Sequence, residues 1–220
     1  MTEINIDTKY REKAKDSFKT KLNLYVFEKH ITESKDKIGL EDFQNFIITD
    51  DLVLIYTSKY WNWYPDVEFC SIPSSVDLSK YTKLTSNELQ KAMKNWRENN
   101  TFLIEKFEKD YVANFGKVFP KYEFSELFNM HKCEYCEITI PEINDLVDKE
   151  QLFNKQYSRG FTFEIDRINS NKEYTKDNCV ICCYWCNNAK TDEFNREEFK
   201  IIGKAIREVW LNRLKKPSII

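Results

Sequence analysis

Apolar positions in residues 9–30 recur at three- and four-residue steps, Tyr10, Ala14, Phe18, Leu22 and Tyr25, with lysines and glutamates between them. That spacing is one face of an amphipathic helix, and its simplest use is core packing. Lys9, Arg11, Lys13, Lys15, Lys19 and Lys21 then read as a solvated face. Residues 51–56, DLVLIY, are apolar enough to be buried but do not declare helix or strand. From Ser86 onward Leu89, Met93, Trp96, Leu103, Phe107, Tyr111 and Phe115 repeat at near-helical steps. Asn99, Asn100 and Thr101 are expected to divide this run into two helices, with Thr101 as a cap and Gly116 as the stop.

The period changes in the second half. Phe161, Phe163 and Ile165 alternate with Thr162, Glu164 and Asp166, the pattern of a half-buried strand. Ser170, Asn171 and Asp177 supply turn chemistry, so the chain is expected to reverse and return as a second short strand through Cys179 to Cys182. A helix or a tight metal-holding turn follows at Cys183. Residues 141–153 read as a helix with Pro141 in its first turn. After Lys190, Asn195 and Glu198 form a capping box, and Phe194 and Phe199 are spaced for a hydrophobic staple. Ile202, Ala205, Ile206, Val209 and Leu214 are the expected buried stripe of a last helix ending near Arg213.

Composition narrows the class. Aromatic residues make up 15% of the chain, while four Gly and five Pro are few, which suits a folded, helix-rich protein. No apolar run reaches membrane-span length, and the opening MTEINIDTKYREK lacks a secretory apolar segment, so a cytoplasmic protein is expected. A net charge of −2 excludes coating nucleic acid by bulk electrostatics, though not a local basic groove. Residues 161–220 carry eleven Lys and Arg against nine Asp and Glu, a net of only +2. Tyr60, Trp61, Trp63 and Tyr64 invite a base-stacking reading, but without interleaved basic residues they read as core. Cys70 reads as a buried thiol.

The cysteines carry the sharpest chemistry. Cys133-Glu-Tyr-Cys136 and Cys183-Tyr-Trp-Cys186 are two CxxC pairs, 47 residues apart from Cys136 to Cys183. Each pair offers two sulfurs from one turn, and four thiolates suit one tetrahedral zinc. An odd total of seven cysteines is a poor disulfide framework. Cys179-Val-Ile-Cys182 is also a CxxC, but it lies in the strand-like segment, so Cys179 and Cys182 are expected to pack beside the metal and not to bind it. His131, two residues before Cys133, reads as an ordinary surface or core residue.

The combination of Cys133-x-x-Cys136, Ile165-Asp-Arg-Ile168, Asn178, Cys183-x-x-Cys186-Asn187 and Lys190 resembles the zinc-containing HNH nucleases, the ββα-metal family. The resemblance spans residues 133–194 and says nothing about residues 1–125. It implies a zinc-stabilised ββα-metal domain with a C-terminal helix over 126–220; together with the apolar periodicities of residues 1–125, which read as a mainly helical region, the chain is expected to be α+β. By resemblance, Asp166 and Asn187 would hold magnesium or manganese against the scissile phosphate, and Asn178 would hold the loop and orient the base. Arg167 stands where the family places its catalytic histidine. With a pKa above ~12 arginine cannot accept a proton near neutrality, but its fork of donors can clamp a phosphate. Three sources of the base stay open: hydroxide formed at the metal, Tyr174 or less readily His131 from outside the motif, or none, in which case the module binds without cutting. Glu164 shares a strand face with Asp166 and is a further candidate ligand. The expected function is a metal-dependent endonuclease hydrolysing DNA phosphodiester bonds. The alternative is an inactive HNH-like zinc module binding DNA or a protein partner, with a homo-oligomer also open.

Overall fold

The computed structural model describes residues 5–57, 81, 82, 84–152 and 160–217. The aromatic cluster Tyr60, Trp61, Trp63 and Tyr64, together with Cys70 and Phe153, lies outside the described residues. The chain is α+β and divides into two compact units, Met1–Val118 with Asn171–Glu173, and Phe119–Ser170 with Tyr174–Ile220. Among the described residues no helix is long and apolar enough to cross a membrane.

The first unit is helical. α1 (Ile6–Ile31) starts at Asn5, whose side-chain oxygen accepts from the Thr8 N–H. It packs against α3 (Asp50–Ile55), α4 (Ser86–Asn99) and α5 (Thr101–Val118), while α2 (Leu40–Asn45) covers α5. The predicted α1 stripe is buried at Ala14, Phe18, Leu22 and Tyr25. Residues 51–56 resolve as helix, and the long run breaks at Asn100. Gly116 does not stop α5, which continues to Val118. Aromatic rings fill the core: Phe43 stacks on Phe107 at 4.7 Å between centroids, and Tyr25 meets Phe43 edge-on at 5.2 Å. Tyr111 donates to Glu173 at 2.6 Å, so Ser17, 2.9 Å from the same phenol oxygen, acts as donor to it.

The second unit opens with α6 (Lys121–Leu127), passes the first CxxC, and forms α7 (Ile140–Asp148). Thr139 and Glu142 make the capping box of α7, with Pro141 in the first turn. α7 ends at Asp148, short of the predicted 153, because Glu150 turns left-handed (φ 56°) and Gln151 N–H closes onto Leu146 O at 2.8 Å. β1 (Glu164–Arg167) and β2 (Cys179–Cys182) pair antiparallel, with Asp166 opposite Val180. The strand is shorter than the alternation suggested: Phe163 and Ile165 are buried, but Phe161 precedes it and is 41% exposed. α8 (Tyr184–Lys190) and α9 (Arg196–Leu214) complete the unit.

α9 buries a different face from the predicted one. Its buried line is Phe199, Gly203 and Trp210, whereas Val209 and Ala205 face solvent. Gly203 sets this orientation, since a Cβ there would lie 2.4 Å from the carbonyl oxygen of Tyr135. The missing side chain lets the helix lie directly on the first CxxC turn. Phe194 and Phe199 form the predicted staple, with centroids 6.1 Å apart. Gly203→Ala should destabilise the protein by about 1–3 kcal/mol, because the clash is with backbone and exceeds the gain in helix propensity. Gly116→Ala should stabilise it by roughly 0.5–1 kcal/mol, since the nearest obstacle is the Tyr10 hydroxyl at 3.7 Å. Thermal melts of the two variants should therefore move in opposite directions, and a shared direction would contradict both contacts.

Candidate metal centre and active site

The first CxxC is a tight turn closed by its own backbone. Cys133 N–H donates to Ile138 O at 2.9 Å and Glu137 N–H to Cys133 O at 3.0 Å, with Glu137 left-handed at φ 58°. Glu134 N–H reaches across to Ile181 O of β2 at 2.9 Å, tying the turn to the hairpin. The second CxxC begins α8: Cys183 is the N-cap, and its sulfur accepts from Cys186 N–H at 3.5 Å.

These two turns bring Cys133, Cys136, Cys183 and Cys186 together, all buried, with every sulfur within 4.8 Å of the others. Cys136 Sγ and Cys183 Sγ are 3.6 Å apart, and sulfurs ~2.3 Å from a tetrahedral zinc would lie ~3.8 Å from one another. The group is the one cluster of three or more such ligands among the described residues. S–H donors from Cys136, Cys183 and Cys186 push the Cys133 thiol down, whereas hydrogen bonding to Cys133 and Cys136 pushes Cys183 and Cys186 up. Cys179 and Cys182 are buried on β2 outside the cluster, and burial pushes the Cys182 thiol well up. His131 is exposed.

Asp166 sits on β1, its side chain 12% exposed. Its Oδ2 accepts from the Tyr135 hydroxyl at 2.5 Å and lies 3.3 Å from the Lys190 ammonium. Burial pushes the carboxyl above its usual range, against the downward pull of Tyr135 and Lys190. Burial also pushes the Tyr135 phenol well up, so it remains the proton donor. Lys190, 1% exposed, donates to Arg167 O at 3.0 Å as well, pinning α8 to β1.

The other predicted residues make their own contacts on the hairpin and α8. The Arg167 guanidinium lies over the Tyr174 ring, 4.8 Å from its centroid, and Tyr174 is itself buried. Asn178 accepts from Asn169 N–H at 2.9 Å and donates to Asn169 O at 3.0 Å, while its own carbonyl takes Ile168 N–H at 2.8 Å. Its side chain thus extends the ladder beyond β1 and closes the loop. Asn187 donates to Glu164 Oε2 at 2.6 Å, which fixes the amide and keeps Oδ1 as its acceptor. Glu164 and Asp166, two apart on β1, share a face.

Sequence reasoning missed Tyr135. It stands between the two cysteines of the first CxxC, and its contact with Asp166 crosses 31 residues, so no local pattern marks it. Sequence reasoning also left Lys190 as a matter of spacing, whereas the structure buries this lysine against the Asp166 carboxylate. A cleft of about 540 Å³ between the first CxxC turn and α9 is not lined by Asp166, and two ion pairs lie along it, Lys132 with Glu137 at 2.9 Å and Lys200 with Glu134 at 3.3 Å.

No protein-family model matches the chain, and no curated protein does. Among solved structures it is similar to the rare-cutting HNH restriction endonuclease PacI, at 25% identity over 47% of this chain and 75% of that one, with a TM-score of 0.38.

Purified protein should carry one zinc per chain. Substituting any one of the four cluster cysteines by serine should release it and melt the second unit, because metal binding there is folding free energy. Elemental analysis beside circular dichroism reads both, and a folded, reduced protein without metal would contradict the assignment.

Proposed function

We propose that the protein is a metal-dependent endonuclease that hydrolyses DNA phosphodiester bonds, with structural zinc on Cys133, Cys136, Cys183 and Cys186. The observation that carries this reading is a set of oxygen donors on the hairpin and helix: Glu164 and Asp166 share a face of β1, Glu164 accepts from Asn187 of α8 at 2.6 Å, and none of the three belongs to the four-thiol cluster. A zinc module with a purely structural role needs none of the three.

The donor set suits a hard divalent cation such as magnesium or manganese, which prefers carboxylate and amide oxygens. Asp166 and Asn187 would hold it, with Glu164 adjacent. When bound, it supplies Lewis-acid polarisation of the phosphate. Arg167 supplies the second positive element, a permanent charge whose donors match phosphate oxygens. Tyr174 supports that guanidinium from beneath by a cation–π contact. Asn178 keeps the loop after β1 closed, so that Asp166 and Arg167 leave the strand in a fixed direction.

A second reading is favoured by one contact. The buried Lys190 ammonium already neutralises Asp166 in part, which lowers the carboxylate's attraction for a further cation. A module that binds DNA through Arg167 without cutting would look the same.

The two readings part in a cleavage assay with magnesium and manganese on supercoiled, linear and branched DNA. Asp166→Ala should retain its zinc and lose cutting on the order of a thousandfold, since a Lewis-acid contact is worth several kcal/mol in the transition state. Arg167→Ala should slow an enzyme and weaken affinity alone in a binding module. Tight DNA binding with no Asp166-dependent cutting on any substrate would replace the nuclease with the binding module.

A further inference from the structure

We infer that Tyr135 is a positioning residue for Asp166: carried on the first metal-binding turn, its hydroxyl holds the carboxylate so that Oδ1 is the oxygen offered to a divalent cation. The inference deepens the nuclease reading and rests on it for its catalytic consequence, though not for its effect on metal binding.

The geometry leaves Tyr135 little freedom. Its residue is 3% exposed, and its ring packs edge-on against Phe199 with centroids 5.0 Å apart. Its backbone is held on both sides, by the sulfur ligands Cys133 and Cys136 and by α9, which approaches its carbonyl through Gly203. The next residue back, Glu134, is bonded to β2. A phenol has two side-chain torsions, and here packing fixes both, so the hydroxyl arrives at Asp166 pre-organised.

Both donors to Asp166 fall on the same oxygen. Tyr135 approaches Oδ2 from the CxxC turn and Lys190 approaches it from α8. Turning the carboxylate away from this orientation would break both contacts at once. Oδ1 is therefore kept out of the hydrogen-bonding network and available to an incoming ion. Lys190 is the poorer probe of this arrangement, because it also bonds the backbone of Arg167, and replacing it would disturb β1. Removing only the phenol oxygen spares the ring packing.

Tyr135→Phe in the full-length, zinc-loaded protein provides the test. Zinc content and melting should match wild type, while titration with manganese followed by electron paramagnetic resonance should show affinity weakened about tenfold, as expected for loss of a hydrogen bond to a charged group. On plasmid DNA, kcat should fall by a similar factor with KM unchanged. Equal manganese affinity in wild type and variant would overturn the inference, whatever the cutting does. Loss of zinc from Tyr135→Phe would also overturn it, in favour of a packing role. Manganese binding that depends on Tyr135 in a protein that cuts no DNA would sink the nuclease reading and leave the positioning role standing.

Discussion

Four sulfurs held within 4.8 Å in a buried setting is the constraint on which the second unit depends. Thiols cannot all be buried as anions unless a cation joins them. The two turns that supply them belong to segments far apart in the chain, with α7 between. The surrounding contacts serve this convergence. Arg207 grips Glu142 through two hydrogen bonds at 2.7 and 2.8 Å, joining α9 to the cap of α7, and Arg196 holds Glu134 of the first turn at 2.5 Å.

The same convergence creates the electrostatics of the hairpin. A chain of net charge −2 looks ill suited to a polyanion, yet around Asp166 the cations are Arg167 and Lys190, with Glu164 as the neighbouring acid. What a phosphate meets is set by these few groups at short range, because charges beyond about 10 Å are screened in physiological salt. Whole-chain charge is therefore a weak guide to the proposed nucleic-acid partner.

The local elements were legible because their signals are local. Capping residues announce a helix by hydrogen bonds three residues long, as at Asn195 with Glu198, and CxxC spacing announces a turn. The stop at Gly116 failed because glycine tolerates a helix interior wherever packing holds the helix together. The buried face of α9 was misread for a related reason: hydrophobicity pointed to Val209 and Ala205, but Gly203 carries no hydrophobic signal while allowing the closest approach. Tyr135 was hidden because its chemistry is decided by a partner on another strand. Sequence patterns report what a residue prefers, whereas sites also depend on which groups distant segments bring within 3 Å of each other.

Seven residues of α8 serve three structures at once. Cys186 belongs to the thiol cluster, Asn187 turns to Glu164, and Lys190 reaches Asp166 and the backbone beneath Arg167. The helix consequently has one usable rotational setting, and an inserted or deleted residue within it would dismantle all three together. Point changes behave differently, since the oxygen face can be altered one side chain at a time without moving the sulfurs. The architecture is thus asymmetric: the oxygen face can be altered while the sulfur scaffold stands, whereas loss of the scaffold would take the oxygen face with it.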